Sequence, residues 1–101
     1  MRSTSVPLVA RRMEPQEAMG LALRSLRLDR GLSQAEVAQR ADIARSWLSQ
    51  MEGGGGNPAW GSLVRLAAAL GVSPVELVDR AERIASGELR FETRTRRGPV
   101  S

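Results

Sequence analysis

A compact, all-α fold of five short helices is predicted by three features of the chain. Apolar residues recur at three- and four-residue spacing through most of residues 15–85, which places them on single helix faces. Two Ser-x-x-Glu capping boxes, Ser33 to Glu36 and Ser73 to Glu76, mark helix starts. Gly31, Gly53 and Gly71 stand where periodic segments end, the position at which helices stop. The 101 residues accordingly divide into a basic N-terminal arm over 1–14, one helical domain over 15–85 and a basic C-terminal tail over 86–101.

Pro15 opens the first helix, in which Met19, Ala22, Leu23 and Leu26 share the buried face and which Gly31 ends. In the second, the Ser33 hydroxyl accepts from an otherwise unpaired backbone amide and Glu36 returns the bond. Val37, Ala38 and Ala41 are its buried residues, and ADIA, residues 41–44, interrupts it. The third helix runs from Arg45 to Glu52. The fourth, WGSLVRLAAAL, places Leu63, Leu66, Ala67 and Leu70 on one face and stops at Gly71. Ser73 caps the fifth, with Pro74 at the first helical position, and Val75, Val78 and Ala81 are its expected buried face.

Between the third and fourth helices lies MEGGGGNP, Met51 to Pro58. Glycine runs cradle phosphates, link domains or stop helices. A nucleotide-binding loop needs a preceding strand and a following Gly-Lys-Ser/Thr; here a helix precedes, Asn-Pro-Ala follows, and the chain has no lysine. The flanking helices are too short to be stable independently, which removes the linker. The run is therefore a helix stop and connecting loop, with its exposed glycine amides as further candidates for phosphate contact.

Cysteine, histidine, tyrosine and lysine are all missing. Disulfides, cysteine–histidine metal sites, thiol nucleophiles and imidazole acid–base chemistry go with them, and the chain is expected to be neither an enzyme nor the holder of a cofactor or metal. The formal net charge of +4 is uneven. Residues 1–12 carry Arg2, Arg11 and Arg12 without an acid, and residues 93–101 carry Arg94, Arg96 and Arg97 without an acid, whereas the segment between them is net −2. Basic arms suit nucleic acid, although solvated termini fit the same residues. VPLVA is too short for a secretory core, Arg11-Arg12 precedes no apolar run, and LAAALGV cannot span a bilayer. A cytoplasmic protein with no membrane partner is expected.

LSQAEVAQRADIARSWLSQMEGG, Leu32 to Gly54, reads as helix, tight turn, helix, with small residues where the two must approach. That is a helix-turn-helix. The α-helical period sets Ala44, Leu48 and Met51 on one side of the third helix and Ser46, Ser49, Gln50 and Gly53 on the other, with Arg45 and Trp47 at the margins. Serine, glutamine and one arginine are side chains able to bond base edges. An ordinary solvated face of a helical bundle fits the same pattern.

Four stretches, LRSLRLDRGLSQAEVA, RSWLSQMEGG, NP and LVRLAAALGVSPVEL, give the chain from about Leu21 to Leu77 a close likeness to one family. It resembles the Cro and phage-repressor type of helix-turn-helix regulators, often called XRE-type. The resemblance implies a lambda-repressor-like five-helix domain, with a basic N-terminal arm and a candidate short C-terminal strand added in this chain. Carried over by position, it makes Gln34, the first residue of helix two, a backbone-phosphate contact. Arg45, Ser46 and Gln50 become the principal readers of the major groove, with Ser49 as a helper. Ser33, Trp47, Asn57, Arg11 and Arg12 complete the expected phosphate contacts, and Arg27 of helix one is expected to pair with Glu52. Two departures stand out. Ala44 opens helix three where the family usually has serine or threonine, so the side-chain cap is missing, a loss of about 1 kcal/mol. Glycine fills the loop after Glu52 where the family often has a basic residue, which shifts backbone affinity toward the arginine tails. Trp47 is bulkier than the usual residue, and fits a partly buried packing role as well as a DNA contact.

The expected function is a sequence-specific, DNA-binding transcriptional regulator: a repressor that binds a palindromic operator in double-stranded DNA as a homodimer, with Val75, Val78, Ile84 and Phe91 at the interface. An antitoxin-type interaction protein, binding a toxin through its tail and its own operator through the helix-turn-helix, is the alternative. It rests on ELRFETRTR, where Leu89, Phe91, Thr93 and Thr95 alternate with Arg90, Glu92, Arg94 and Arg96. That alternation fits a two-sided strand able to extend a partner's sheet, and a polar tail without structure fits it too.

Overall fold

The computed structural model describes residues 13–89. Five helices, α1 (Pro15–Asp29), α2 (Gln34–Ala41), α3 (Arg45–Glu52), α4 (Trp60–Leu70) and α5 (Pro74–Ser86), make an all-α domain with no strand among the described residues. Arg11, Arg12, Phe91 and most of the expected C-terminal strand lie outside the described residues. No single described helix is long and apolar enough to cross a membrane.

Both serine capping boxes form. The Glu36 amide donates to Ser33 Oγ at 3.0 Å while the Ser33 amide donates to Glu36 Oε1 at 2.8 Å, and Ser73 and Glu76 repeat the exchange at 3.1 and 2.8 Å. The bond from the Ser33 amide, followed by that with its side chain and the nearby Arg40 charge, holds the Glu36 carboxyl below the usual glutamate range. Between α2 and α3 the chain reverses through Asp42 at φ 60°, ψ 50°. A left-handed conformation is tolerable there because a short polar side chain meets less strain than a branched one. Ala44 supplies no side-chain cap to α3. It is also exposed rather than part of the apolar side, because it stands one residue ahead of the helix proper.

One core unites all five helices, with Leu23, Val37, Leu48, Leu66, Leu70 and Leu77 its largest fully buried side chains. α1 packs chiefly on α5 and α3, and α2 on α4 and α3. Two arginines tie α2 to α4 reciprocally: Arg65 Nε of α4 donates to the carbonyl of Ala41 at 3.0 Å, and Arg40 Nη1 of α2 reaches that of Ala69 at 3.5 Å. Each cation thus meets the carbonyl-rich, negative end of the other helix.

α5 departs from the expected face. Its buried residues are Leu77, Ala81, Ile84 and Ala85, an i, i+4, i+7, i+8 stripe, whereas Val75 and Val78 are 77% and 40% exposed. Two apolar stripes compete on this helix, and the one with leucine and isoleucine buries more surface. Ile84, at 3% exposure, belongs to the core and offers nothing to a dimer interface. Met19 and Leu63 are only half-buried at the core edge.

Gly20 of α1 lies against the end of α3. A Cβ built on it would overlap the Met51 carbonyl oxygen and stand 3.0 Å from that of Glu52. Backbone cannot swing aside as a flexible side chain can, so any substituent must push the helices apart. Although alanine favours a helix by about 1 kcal/mol over glycine, Gly20→Ala is expected to destabilise the domain by about 1–3 kcal/mol through overpacking. Gly61, in the first turn of α4 with nothing within 4 Å of its Cβ position, is the control: Gly61→Ala should be neutral or stabilising. Urea unfolding of both variants checks this, and a more stable Gly20→Ala protein would contradict the close approach.

Candidate nucleic-acid interface

The site is built outward from one buried contact. Arg27 Nε donates to Glu52 Oε2 at 2.7 Å and its Nη2 to Glu52 Oε1 at 2.9 Å, a two-pronged pair whose side chains are 10% and 3% exposed. Arg27 Nη1 adds a bond to the Leu32 carbonyl at 2.9 Å, so α1, the α1–α2 loop and the end of α3 share one guanidinium. From the start of α2, Gln34 Nε2 donates to Glu52 Oε1 at 3.0 Å. Arg45 Nη1, from the first residue of α3, donates to Gln34 Oε1 at 3.2 Å. The line Arg27–Glu52–Gln34–Arg45 therefore runs from the core to the surface.

Beyond Arg45, α3 turns a polar face to solvent. Ser46, Ser49 and Gln50 are exposed with it, while Leu48 and Met51 are buried beneath. Arg45 and the three polar side chains supply donors, and the serines and glutamine acceptors as well, with no acid among them. Trp47 is half-buried and packs on the core. Asn57 is exposed in the loop before α4. Ser33 is exposed, with its hydroxyl accepting from the Glu36 amide and its side chain also bonded to the Glu36 carboxylate.

The glycine run ends α3 but does not offer a row of open amides. The Gly53 amide donates to Ser49 and Gln50, that of Gly54 to Met51 at 2.9 Å and that of Gly55 to Gln50 at 3.0 Å. The expected phosphate contact through these amides is thus corrected for the first three glycines. Gly54 and Gly56, at φ +91° and +93°, are in a region that other residues seldom adopt.

A second surface lies on other elements. Trp60 is 66% exposed and, with Pro74, Val75, Val78, Asp79 and Glu82, lines an open groove of about 410 Å³. Helical periodicity alone would set Trp60 with Leu63 and Ala67 on the inner face of α4, which is why the sequence does not single it out. Gln34 is the other residue whose place the spacing does not reveal: nothing in it says that the amide is engaged at both ends.

The chain matches the helix-turn-helix domain family over residues 18–81. It is 39% identical over 75 residues to an uncharacterized HTH-type transcriptional regulator, y4dJ, of Sinorhizobium fredii, covering 74% of this chain and 97% of that protein. It is 26% identical over 76 residues to the immunity repressor protein of Bacillus phage phi105, covering 75% of this chain and 53% of that one. Among solved structures, the clp gene regulator ClgR from Corynebacterium glutamicum superposes with a TM-score of 0.72 at 29% identity, over 75% of this chain and 81% of that chain.

Removing one member of a buried pair strands the other charge, at a cost of about 3–5 kcal/mol, whereas removing both together costs less than the sum. Thermal melts of Arg27→Met, Glu52→Gln and the double variant should show that strong non-additivity. Small, additive losses would mean that the pair contributes no more than a surface ion pair, about 1 kcal/mol or less.

Proposed function

The chain belongs to the helix-turn-helix domain family of transcriptional regulators, and from that premise we propose that it is a repressor which binds a two-fold operator in duplex DNA as a homodimer. The observation that carries this reading is the outer face of α3: Arg45, Ser46, Ser49 and Gln50 stand exposed on a helix whose other side is locked into the core. α3 has no acid in its first turn, so the positive end of its dipole is not neutralised before it meets phosphate. Repression is favoured by the likeness to the phi105 immunity repressor, and occlusion of a promoter needs nothing beyond tight binding. Ser33, Gln34, Trp47 and Asn57 are the proposed backbone contacts around the reading helix, assisted by Arg11 and Arg12 of the arm.

A domain of this size that reads a few base pairs gains affinity and length of site by doubling. The proposed dimer face is the apolar surface of Trp60, Val75 and Val78, which the core leaves outside. Half-sites are then expected about 10 bp apart, centre to centre. Analytical ultracentrifugation should find a dimer at micromolar concentration, and Val75→Asp with Val78→Asp should give a monomer that binds operator at least about tenfold more weakly, because it no longer engages the second half-site. A double variant that remains dimeric would move the interface elsewhere.

The two kinds of arginine should separate in competition binding against a selected operator and scrambled DNA. Arg45, with a planar fork suited to guanine O6 and N7, should lose about 1–3 kcal/mol of discrimination at one base position per half-site when changed to alanine. Removing Arg2, Arg11 and Arg12 should weaken binding to all sequences alike and lower the salt slope by about 0.9 for each phosphate that is no longer neutralised. If Arg45→Ala kept the operator-to-scrambled ratio while arm removal lowered it, α3 would not be the reading helix.

A further inference from the structure

We propose that Gly55 is a positioning residue for base reading: having no side chain, it leaves the space beside which the Gln50 stem lies, and so sets where the Gln50 amide stands on the outer face of α3. The inference rests on the reading of α3 as the base-contacting helix. A Cβ built on Gly55 would stand 3.1 Å from Cγ of Gln50 and 3.6 Å from its Nε2. The first of these is closer than carbon atoms ordinarily pack, about 3.5–4.0 Å. The Gly55 amide also donates to the Gln50 carbonyl at 3.0 Å. One glycine thus fits both the main chain and the side chain of a residue on the reading face.

The four glycines of the run are not equivalent. At Gly53 a Cβ would meet the carbonyl oxygens of Gln50 and Ser49 at 3.5 and 3.6 Å, an ordinary contact. Gly54, at φ +91°, bonds to the Met51 carbonyl and lies against α1, where a Cβ would come 3.2 Å from Cγ of Glu17. Gly56, at φ +93°, has nothing within 4 Å of its Cβ position. Of the four, only Gly55 combines a close approach to a side chain of the outer face with a backbone outside the left-handed region. A methyl there acts by contact, without the backbone strain that it would meet at Gly54 or Gly56. The loop has little room to retreat, because Gly54 lies against Glu17 and its amide is bonded to α3. Gln50 is exposed, so its side chain is the part that gives way. A glutamine amide reads adenine through two bonds at once, to N6 and N7, and a displaced or turned stem no longer meets both.

Gly55→Ala and Gly53→Ala add the same methyl to the same loop, and only the first reaches the Gln50 stem. The test is competition binding of the full chain to an operator selected from random duplexes, against the same duplex changed at the base pair whose discrimination Gln50→Ala relaxes, with a melting curve for each variant. Positioning predicts that Gly55→Ala lowers the ratio at that base pair by about three- to tenfold, while Gly53→Ala keeps it and the two proteins melt alike. In a Gln50→Ala background, where no Cγ is left to displace, Gly55→Ala is expected to lower the ratio no further. An unchanged ratio in Gly55→Ala, or an equal loss at every base pair, would overturn the proposal and leave Gly55 as part of a helix stop alone. A Gly55→Ala protein that melts far below Gly53→Ala would overturn it too, because the loop and not the side chain would then be giving way. If Gln50→Ala relaxed no base pair, Gln50 would not be a reader and the positioning role would fall, while reading by Arg45 stood. A wild-type protein that selects no sequence at all would instead overturn base reading by α3, and the role of Gly55 with it.

Discussion

The Arg27–Glu52 pair is the contact on which the arrangement of the other elements depends. Taking two charges out of water is expensive, and replacing such a pair by fitted apolar groups is often neutral or better for stability. What the pair supplies is geometry. Two parallel bonds fix the angle as well as the distance between α1 and the end of α3, and the third, to the Leu32 carbonyl, fixes where α2 can begin. Gly20 belongs to the same constraint. It lies about two turns before Arg27 on α1, so both face the last turn of α3, one allowing the backbones to touch and the other joining them.

Much of the fold is legible in the sequence because its signals are local. Ser33 with Glu36 and Ser73 with Glu76 satisfy helix-end amides within a single turn, and Gly71 takes the left-handed cap of α4 at φ +75°. Such features do not need the rest of the molecule to be interpreted. The face of α5 is not legible in this way. Val75, Val78 and Ala81 make one plausible stripe and Leu77, Ala81, Ile84 and Ala85 another, and only the position of α1, the chief partner of α5, decides between them. Ala44 fails for the related reason that a cap residue departs from the helical period used to place it.

The site shows the same division. That Ser46, Ser49 and Gln50 face outward follows from the spacing of Leu48 and Met51, and the structure agrees. That Gln34 touches both Glu52 and Arg45 does not, because residues 11 and 18 positions apart are brought together by the turn at Asp42 and by the burial of Glu52. The glycine amides are a further case: a sequence shows that Gly53 to Gly55 lack side chains, but not that their amides bond back to the carbonyls of α3.

α3 itself has eight residues, no side-chain cap, no acid in its first turn and no base in its last. Alone, a helix this short would not persist in water. Its order comes from Leu48 and Met51 in the core and from Glu52 at its end, so the rigidity of the outer face is a tertiary property. This divides the outer residues into two kinds. Ser46 and Ser49 have exposed side chains that the core does not use, and changes there come at little cost in stability. Arg45 is joined through Gln34 to a buried carboxylate, and a change at either link alters the surroundings of Glu52 as well as the exposed face of α3. The first residue of α3 is therefore less able than the serines that follow it to vary independently of the fold.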